Sequence, residues 1–134
     1  MTEPNKRENI QEELNRSQRT LAEANLLFNN GYLHGAMSRL YYYLLYAVRA
    51  LLLGKGLEPK SHEGALRLFA REFVKKGAFA PGSSHIFSRL MKYREEADYN
   101  PSYSFVPQDY LDMRREAEAL AREVEEHLRN EGYL

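Results

Sequence analysis

The chain contains no cysteine, so neither a disulfide framework nor a thiol nucleophile is available to it. Glycine and proline are sparse, 8 and 5 of 134 residues, and fall mostly between segments of periodic apolar character. No sustained two-residue alternation occurs, so no strand is expected. Residues Met1 to Asn9 are polar and lack the apolar stretch of a signal peptide. The longest apolar-rich run, Leu40 to Leu53, is short for a bilayer span and carries Arg49. A cytoplasmic protein without membrane association is the expectation. Glu-x-x-His is missing, so the ligands of a di-iron bundle are not there. His34, His62, His85 and His127 lie in four separate segments without metal-site spacing. Gly54-Lys55-Gly56 lacks the next glycine of a dinucleotide loop, and no Gly-Lys-Ser/Thr follows anywhere. No metal or cofactor is expected.

What the chain does have is helical periodicity. Ile10, Leu14, Leu21, Ala24 and Phe28 recur at three and four residues, with Ser17 in the gap, and Asn29-Asn30-Gly31 ends that helix. A second helix is expected from about Leu33 to Leu53; its second half is apolar nearly all round, as in a helix central to a bundle or half buried in a second subunit. Ser61 suits the N-cap of a third helix whose Leu66, Phe69 and Phe73 face the core. A fourth helix starts near Ser84 and ends where Asn100-Pro101-Ser102 forces an irregular stretch. Pro107 opens a fifth, with Tyr110, Met113, Ala117, Leu120 and Val124 inward. The expected fold is all-α: an up-and-down antiparallel bundle of four to five helices, one domain over residues 1–134 with its core at about 8–129.

Net charge is zero, but its distribution is uneven. Residues 55–94 carry 9 basic and 3 acidic side chains, whereas residues 95–134 carry 4 and 11. A basic middle fits phosphate contact, and it equally fits docking against the acidic last helix or a second subunit.

Three constellations could carry chemistry. On the second helix, Arg39 lies three and four residues from Tyr42 and Tyr43. Such a group can hold a phosphate while a ring stacks on a base, or the tyrosines can pack the core while Arg39 pairs with a carboxylate. At the start of the third helix, Lys60 and His62 flank Ser61 and could meet an anion, or the segment is simply a cap with Glu63 against the helix dipole. On the fourth, Arg94 and Asp98 are four apart, next to Tyr99. They could make an intrahelical ion pair, or the Arg could stabilise a phosphorane while a neighbour moves the 2′-hydroxyl proton.

Taken in order, Ala36-Met37-Ser38-Arg39-Leu40-Tyr41-Tyr42-Tyr43, Ala47 to Leu52, Gly56 to His62, Leu68 to Lys75 and Arg94-Glu95-Glu96-Ala97-Asp98-Tyr99 resemble the HEPN family, over about residues 8–129. The similarity is to its small stand-alone prokaryotic branch. The resemblance implies a helical homodimer that sets two copies of a polar site in one cleft. It also implies an RNA- or nucleotide-binding protein, as one component of a toxin–antitoxin-like pair with a minimal nucleotidyltransferase. In such pairs the antitoxin can modify a tyrosine near the toxin's site, which makes Tyr99 and Tyr103 the candidates here. The expected RNA- or nucleotide-binding residues are Arg39, Tyr42, Tyr43, Lys60 and His62.

Two alternatives stand beside this reading. One is a metal-independent endoribonuclease using Arg94, Asp98 and Tyr99; the other is a catalytically inert adaptor. The ribonucleases of the family carry an Arg followed after four to six residues by a His, and no histidine follows Arg94 until His127. Arg122 and His127 match that spacing literally. Five residues turn a helix so that the two side chains point roughly 140° apart, and Glu123, Glu125 and Glu126 surround them, so they are not expected to form a site.

Overall fold

The computed structural model describes residues 3–134. These residues form an up-and-down antiparallel all-α bundle: α1 (Glu3–Asn29), α2 (Leu33–Leu53), α3 (His62–Phe69), α4 (Gly82–Tyr99) and α5 (Pro107–Asn130). No strand occurs among the described residues.

The helices end where the chain chemistry requires. At the end of α1, Gly31 adopts φ +84°, a conformation that penalises any side chain. There the Tyr32 N–H donates to the Leu27 carbonyl (2.9 Å) and the Gly31 N–H to that of Phe28 (3.0 Å). This double bond closes the helix and reverses the chain. Ser61 caps α3, its Oγ accepting from the Gly64 N–H at 2.9 Å. Pro107 occupies the first turn of α5, where Asp109 accepts the Val106 N–H at 2.9 Å.

Helix α2 is the centre. It packs against α1, α3, α4 and α5, and 14 of its 21 residues are buried within the one chain. Its all-round apolar character is thus explained by a central position in the bundle. Leu40, Leu44, Leu51 and Leu52 are fully enclosed, each contributing on the order of 2 kcal/mol by leaving water. Ser17, the polar gap in the α1 stripe, is buried and donates to the Tyr43 carbonyl at 2.8 Å, which ties α1 to α2. Tyr110 of α5 stacks on Phe28 and donates to Asn25 Oδ1 at 2.7 Å; burial pushes its hydroxyl pKa up to about 12.

The third helix departs from the periodic reading. After Phe69 the chain makes a π-helical turn, Ala70–Val74, with the Lys75 N–H bonded to the Ala70 carbonyl at 2.8 Å. Both Phe69 and Phe73 still point inward, closing an aromatic cluster with Phe79 and Phe87. The Asn100–Val106 segment is pinned by Phe105, which meets His34 at 5.2 Å and Tyr93 at 5.6 Å between ring centres. Among the described residues, no helix is long and apolar enough to cross a membrane.

Candidate functional site

Residues 39, 42, 46 and 49 recur at three and four residues, so Arg39, Tyr42, Tyr46 and Arg49 form one stripe of α2. The capped start of α3 sets His62 against this stripe. Its ring centre lies 5.4 Å from that of Tyr41 and 5.8 Å from that of Tyr42. From α4, Arg94 reaches the same place. Its guanidinium carbon is 5.4 Å from the Tyr41 ring centre, 6.0 Å from Tyr42 and 5.7 Å from Tyr99. Only 8 % of Arg94 remains exposed, so a cation sits almost wholly inside the bundle wall.

Its polar partners are His62, Asp98 and the Tyr99 phenol; burial works against its charge, but the neighbouring phenols and Asp98 outweigh that and raise its pKa. Arg94 Nη2 lies 3.0 Å from His62 Nδ1, and Nη1 lies 3.5 Å from Asp98 Oδ2. A guanidinium can only donate, so Nδ1 must be the acceptor and the proton of a neutral His62 is on Nε2. Burial pushes the His62 pKa below its ordinary value; the positive charges of Arg94 and Arg49 add to that, against Glu63. Two buried atoms at this point have no hydrogen-bond partner among the described residues: Nε of Arg94 and the hydroxyl of Tyr41. Burial also raises the Tyr41 hydroxyl pKa.

Arg39 pairs with Glu23 of α1 at 3.3 Å, and its guanidinium carbon is 5.0 Å from the Tyr42 ring centre. Arg39 and Arg94 therefore share one ring and lie on the same side of the molecule. Lys60 is exposed and lines a small pocket together with His62 and Arg49. Asp98 touches Arg94, and the Tyr99 ring lies against it, 75 % exposed.

Two of the expected residues fall elsewhere. Tyr43 is one residue, and so about 100°, round the helix from Tyr42; it is buried near Glu118, Glu125 and Arg122 of α5 and does not join the cluster. Tyr103 packs its ring on Phe105, and its carbonyl accepts from His34 Nε2 at 2.7 Å, away from Arg94. Arg122 and His127 do not converge either. Arg122 faces Glu118 at 3.9 Å, while His127 packs on Phe73 and Phe79 and lies 3.7 Å from Glu131.

Tyr41 and Arg49 are site residues that the sequence reading did not single out. Arg49 was findable, being seven residues beyond Tyr42 on the same stripe. Tyr41 was not, because a run of three tyrosines does not reveal which ring turns toward a neighbouring helix.

With this geometry in hand, comparison with known proteins is informative. The HEPN domain family model matches residues 10–129. The chain belongs to the HEPN domain family. This HEPN domain is 38% identical over 110 residues to a UPF0332 protein of Thermotoga maritima, covering 82% of this chain and 83% of that one. It is 34% identical over 87 residues to a protein of Methanocaldococcus jannaschii named as a candidate toxin, MJ0142, covering 65% of this chain and 59% of that one. A second protein so named in that organism, MJ0605, is 34% identical over 93 residues, 69% of each chain.

Proposed function

We propose that this HEPN domain binds RNA or a nucleotide by a phosphate group at Arg94, as the toxin-like component of a pair with a minimal nucleotidyltransferase. The observation that carries the reading is a buried guanidinium that keeps an unpartnered donor, Nε. Removing a guanidinium from water costs several kcal/mol, which structural ion pairs offset with a close carboxylate and a full set of hydrogen bonds. Arg94 has one carboxylate at 3.5 Å, a neutral imidazole, the Tyr99 phenol and three ring faces around it, but its Nε stays unpartnered. A phosphate oxygen would add negative charge and accept the free donor. Arg39, which also borders the Tyr42 ring, would take a neighbouring oxygen in competition with Glu23, and Tyr42 offers a partly exposed ring to a base. In a homodimer two such clusters would share one cleft. The toxin names of two relatives support the paired context.

Tyr99 is the tyrosine we assign to modification by the partner, rather than Tyr103. Its ring is exposed and abuts the guanidinium, so a nucleotidyl group added there would set a phosphate beside Arg94 and close the site.

The test is anisotropy of a fluorescein-labelled single-stranded RNA across a salt series, with wild type and Arg39→Ala plus Arg94→Ala. Salt-sensitive binding that the double variant loses while its circular dichroism is unchanged supports the reading. Equal binding by both proteins removes it.

A second reading rests on the Arg94–His62 contact. The histidine absent from the six residues after Arg94 is delivered from α3 instead, 3.0 Å away. If a phosphate drew Arg94 off Nδ1, that nitrogen would accept the 2′-hydroxyl proton as the 2′-oxygen attacks phosphorus. The P–O5′ bond then breaks, O5′ takes a proton from water, and a 2′,3′-cyclic phosphate remains. Arg94, with Asp98 and Tyr99 beside it, would face the developing charge. Labelled cellular RNA incubated in chelator should then be cut by wild type and not by Arg94→Ala. RNA left intact by the wild type excludes this reading and leaves the first.

A further inference from the structure

His62 also borders a second cationic neighbourhood, of which Arg94 is not part. Leu45, Arg49, Pro59, Lys60, Ser61, His62 and Ala65 enclose a pocket of about 150 Å³, room for roughly five waters at their liquid volume. Arg49 and Lys60 make no ion pair or hydrogen bond within the described residues. By contrast, Arg39, Arg89, Arg114 and Arg122 all meet carboxylates. The charge of Arg49 is close enough to His62 to oppose its protonation, as that of Arg94 does. One neutral imidazole therefore has cationic groups from both Arg94 and Arg49 near it, and neither Arg49 nor Lys60 is held by a carboxylate within ion-pair distance among the described residues.

We infer that Arg49 and Lys60 form a second phosphate subsite, so that the ligand is a single-stranded RNA spanning two successive phosphates across His62 rather than a lone mononucleotide. This rests on the assignment of Arg94 as the first phosphate site. The surroundings give the strand a direction. Arg49 and Lys60 also line a larger cleft of about 560 Å³, whose other walls carry Glu12, Glu13 and Glu58. Its carboxylates repel a polyanion, so the chain leaves the pocket over Tyr42 toward Arg39 and not toward Glu12 and Glu13, and at Arg39 it competes with Glu23 for the guanidinium. Glu63, exposed at the start of α3, is the acidic group of that helix nearest the path. The Nε2–H of His62, not committed to any described residue, is available as a donor between the two phosphates.

The experiment titrates a fluorescein-labelled ten-nucleotide single-stranded RNA from 50 to 200 mM salt. It uses wild type, Arg49→Gln plus Lys60→Gln, Arg49→Lys and Arg94→Gln. Each phosphate contact on a single strand contributes about 0.7 to the slope of log affinity against log salt, so the double variant, losing one phosphate, should lose about 0.7 of slope and about tenfold in affinity at low salt. Arg49→Lys keeps the charge and should keep the slope. Thermal melts of the double variant should stay close to wild type, since Lys60 is exposed, Arg49 is only half-buried and neither is ion-paired among the described residues. If the double variant retains the wild-type slope while Arg94→Gln weakens binding, the second subsite is wrong and the first stands. If wild type has no affinity for the RNA, both assignments fall together.

Discussion

Arg94 Nη2 and His62 Nδ1 meet at 3.0 Å from two different helices, and that contact fixes the state of both groups. The guanidinium cannot accept, so the imidazole must.

His62 should accordingly titrate below 6.5, the ordinary value. Its folded pKa lies under its unfolded one, so between the two the unfolded chain binds more protons. Its contribution to stability is then complete above about 6.5 and shrinks as pH falls through that window toward the folded midpoint. Burial is the larger cause, so Arg94→Gln should move the midpoint only part of the way back up. A bound phosphate acts in the opposite sense, raising the midpoint, so RNA affinity should increase as pH drops from 7.5 to 6. Imidazole proton resonances followed by NMR, with His62→Gln for assignment, report this directly. A free-protein midpoint at or above 6.5 contradicts the geometry.

Arg94→Met separates a functional guanidinium from a structural one. If Arg94 were there to hold the bundle, breaking its contacts would cost about 3–5 kcal/mol. The structure gives it a single carboxylate at 3.5 Å and an unpartnered Nε, so an apolar chain of similar length in that slot should leave stability within about 1 kcal/mol or raise it. RNA binding should vanish. Urea unfolding alongside anisotropy checks both halves.

The bundle was legible in the sequence because its signals are local. Periodicity gave α2 its observed bounds, the Ser61 cap is where a serine before a helix should be, and Pro107 opens α5. The π turn after Phe69 was not legible, since Phe69 and Phe73 keep helical spacing whether the turn between them is α or π. The site was half legible. Arg39, Tyr42, His62 and Arg94 were each recognisable as groups able to meet a phosphate or a base, but nothing in one dimension says that residues 62 and 94 touch. Tyr43 was assigned with Tyr42 because a three- or four-residue offset from Arg39 allows both. Only the packing of α5 against α2 decides that Tyr43 turns inward.

Arg122 and His127 reproduce the spacing of a ribonuclease motif without its geometry. Arg122→Gln removes an exposed side chain from a 3.9 Å pairing and should change stability by under about 0.5 kcal/mol. His127→Ala withdraws a ring from Phe73 and Phe79 and should cost about 1–2 kcal/mol. Neither should alter RNA affinity or any cleavage. Loss of either activity in Arg122→Gln, with the melt unchanged, would move the site to α5.

Tyr41 tests whether the cluster around Arg94 is built for a guest. Its ring is fully enclosed, among Tyr42, His62 and Phe87 with the Arg94 guanidinium over it, yet its hydroxyl has no hydrogen-bond partner among the described residues. A buried hydroxyl left unsatisfied costs about 1–3 kcal/mol, whereas the ring itself contributes by burial. Tyr41→Phe keeps the ring and deletes the cost, so the variant should gain about 1 kcal/mol, seen as a rise of roughly 4 °C in Tm. The same change should weaken RNA binding by about three- to tenfold if the hydroxyl donates to the phosphate that Arg94 holds, since one such bond is worth about 1 kcal/mol. A stability gain without loss of affinity would mean that the hydroxyl faces a dry void rather than the ligand. A stability loss would mean that it has a partner in solution, and that the space beside Arg94 is already filled.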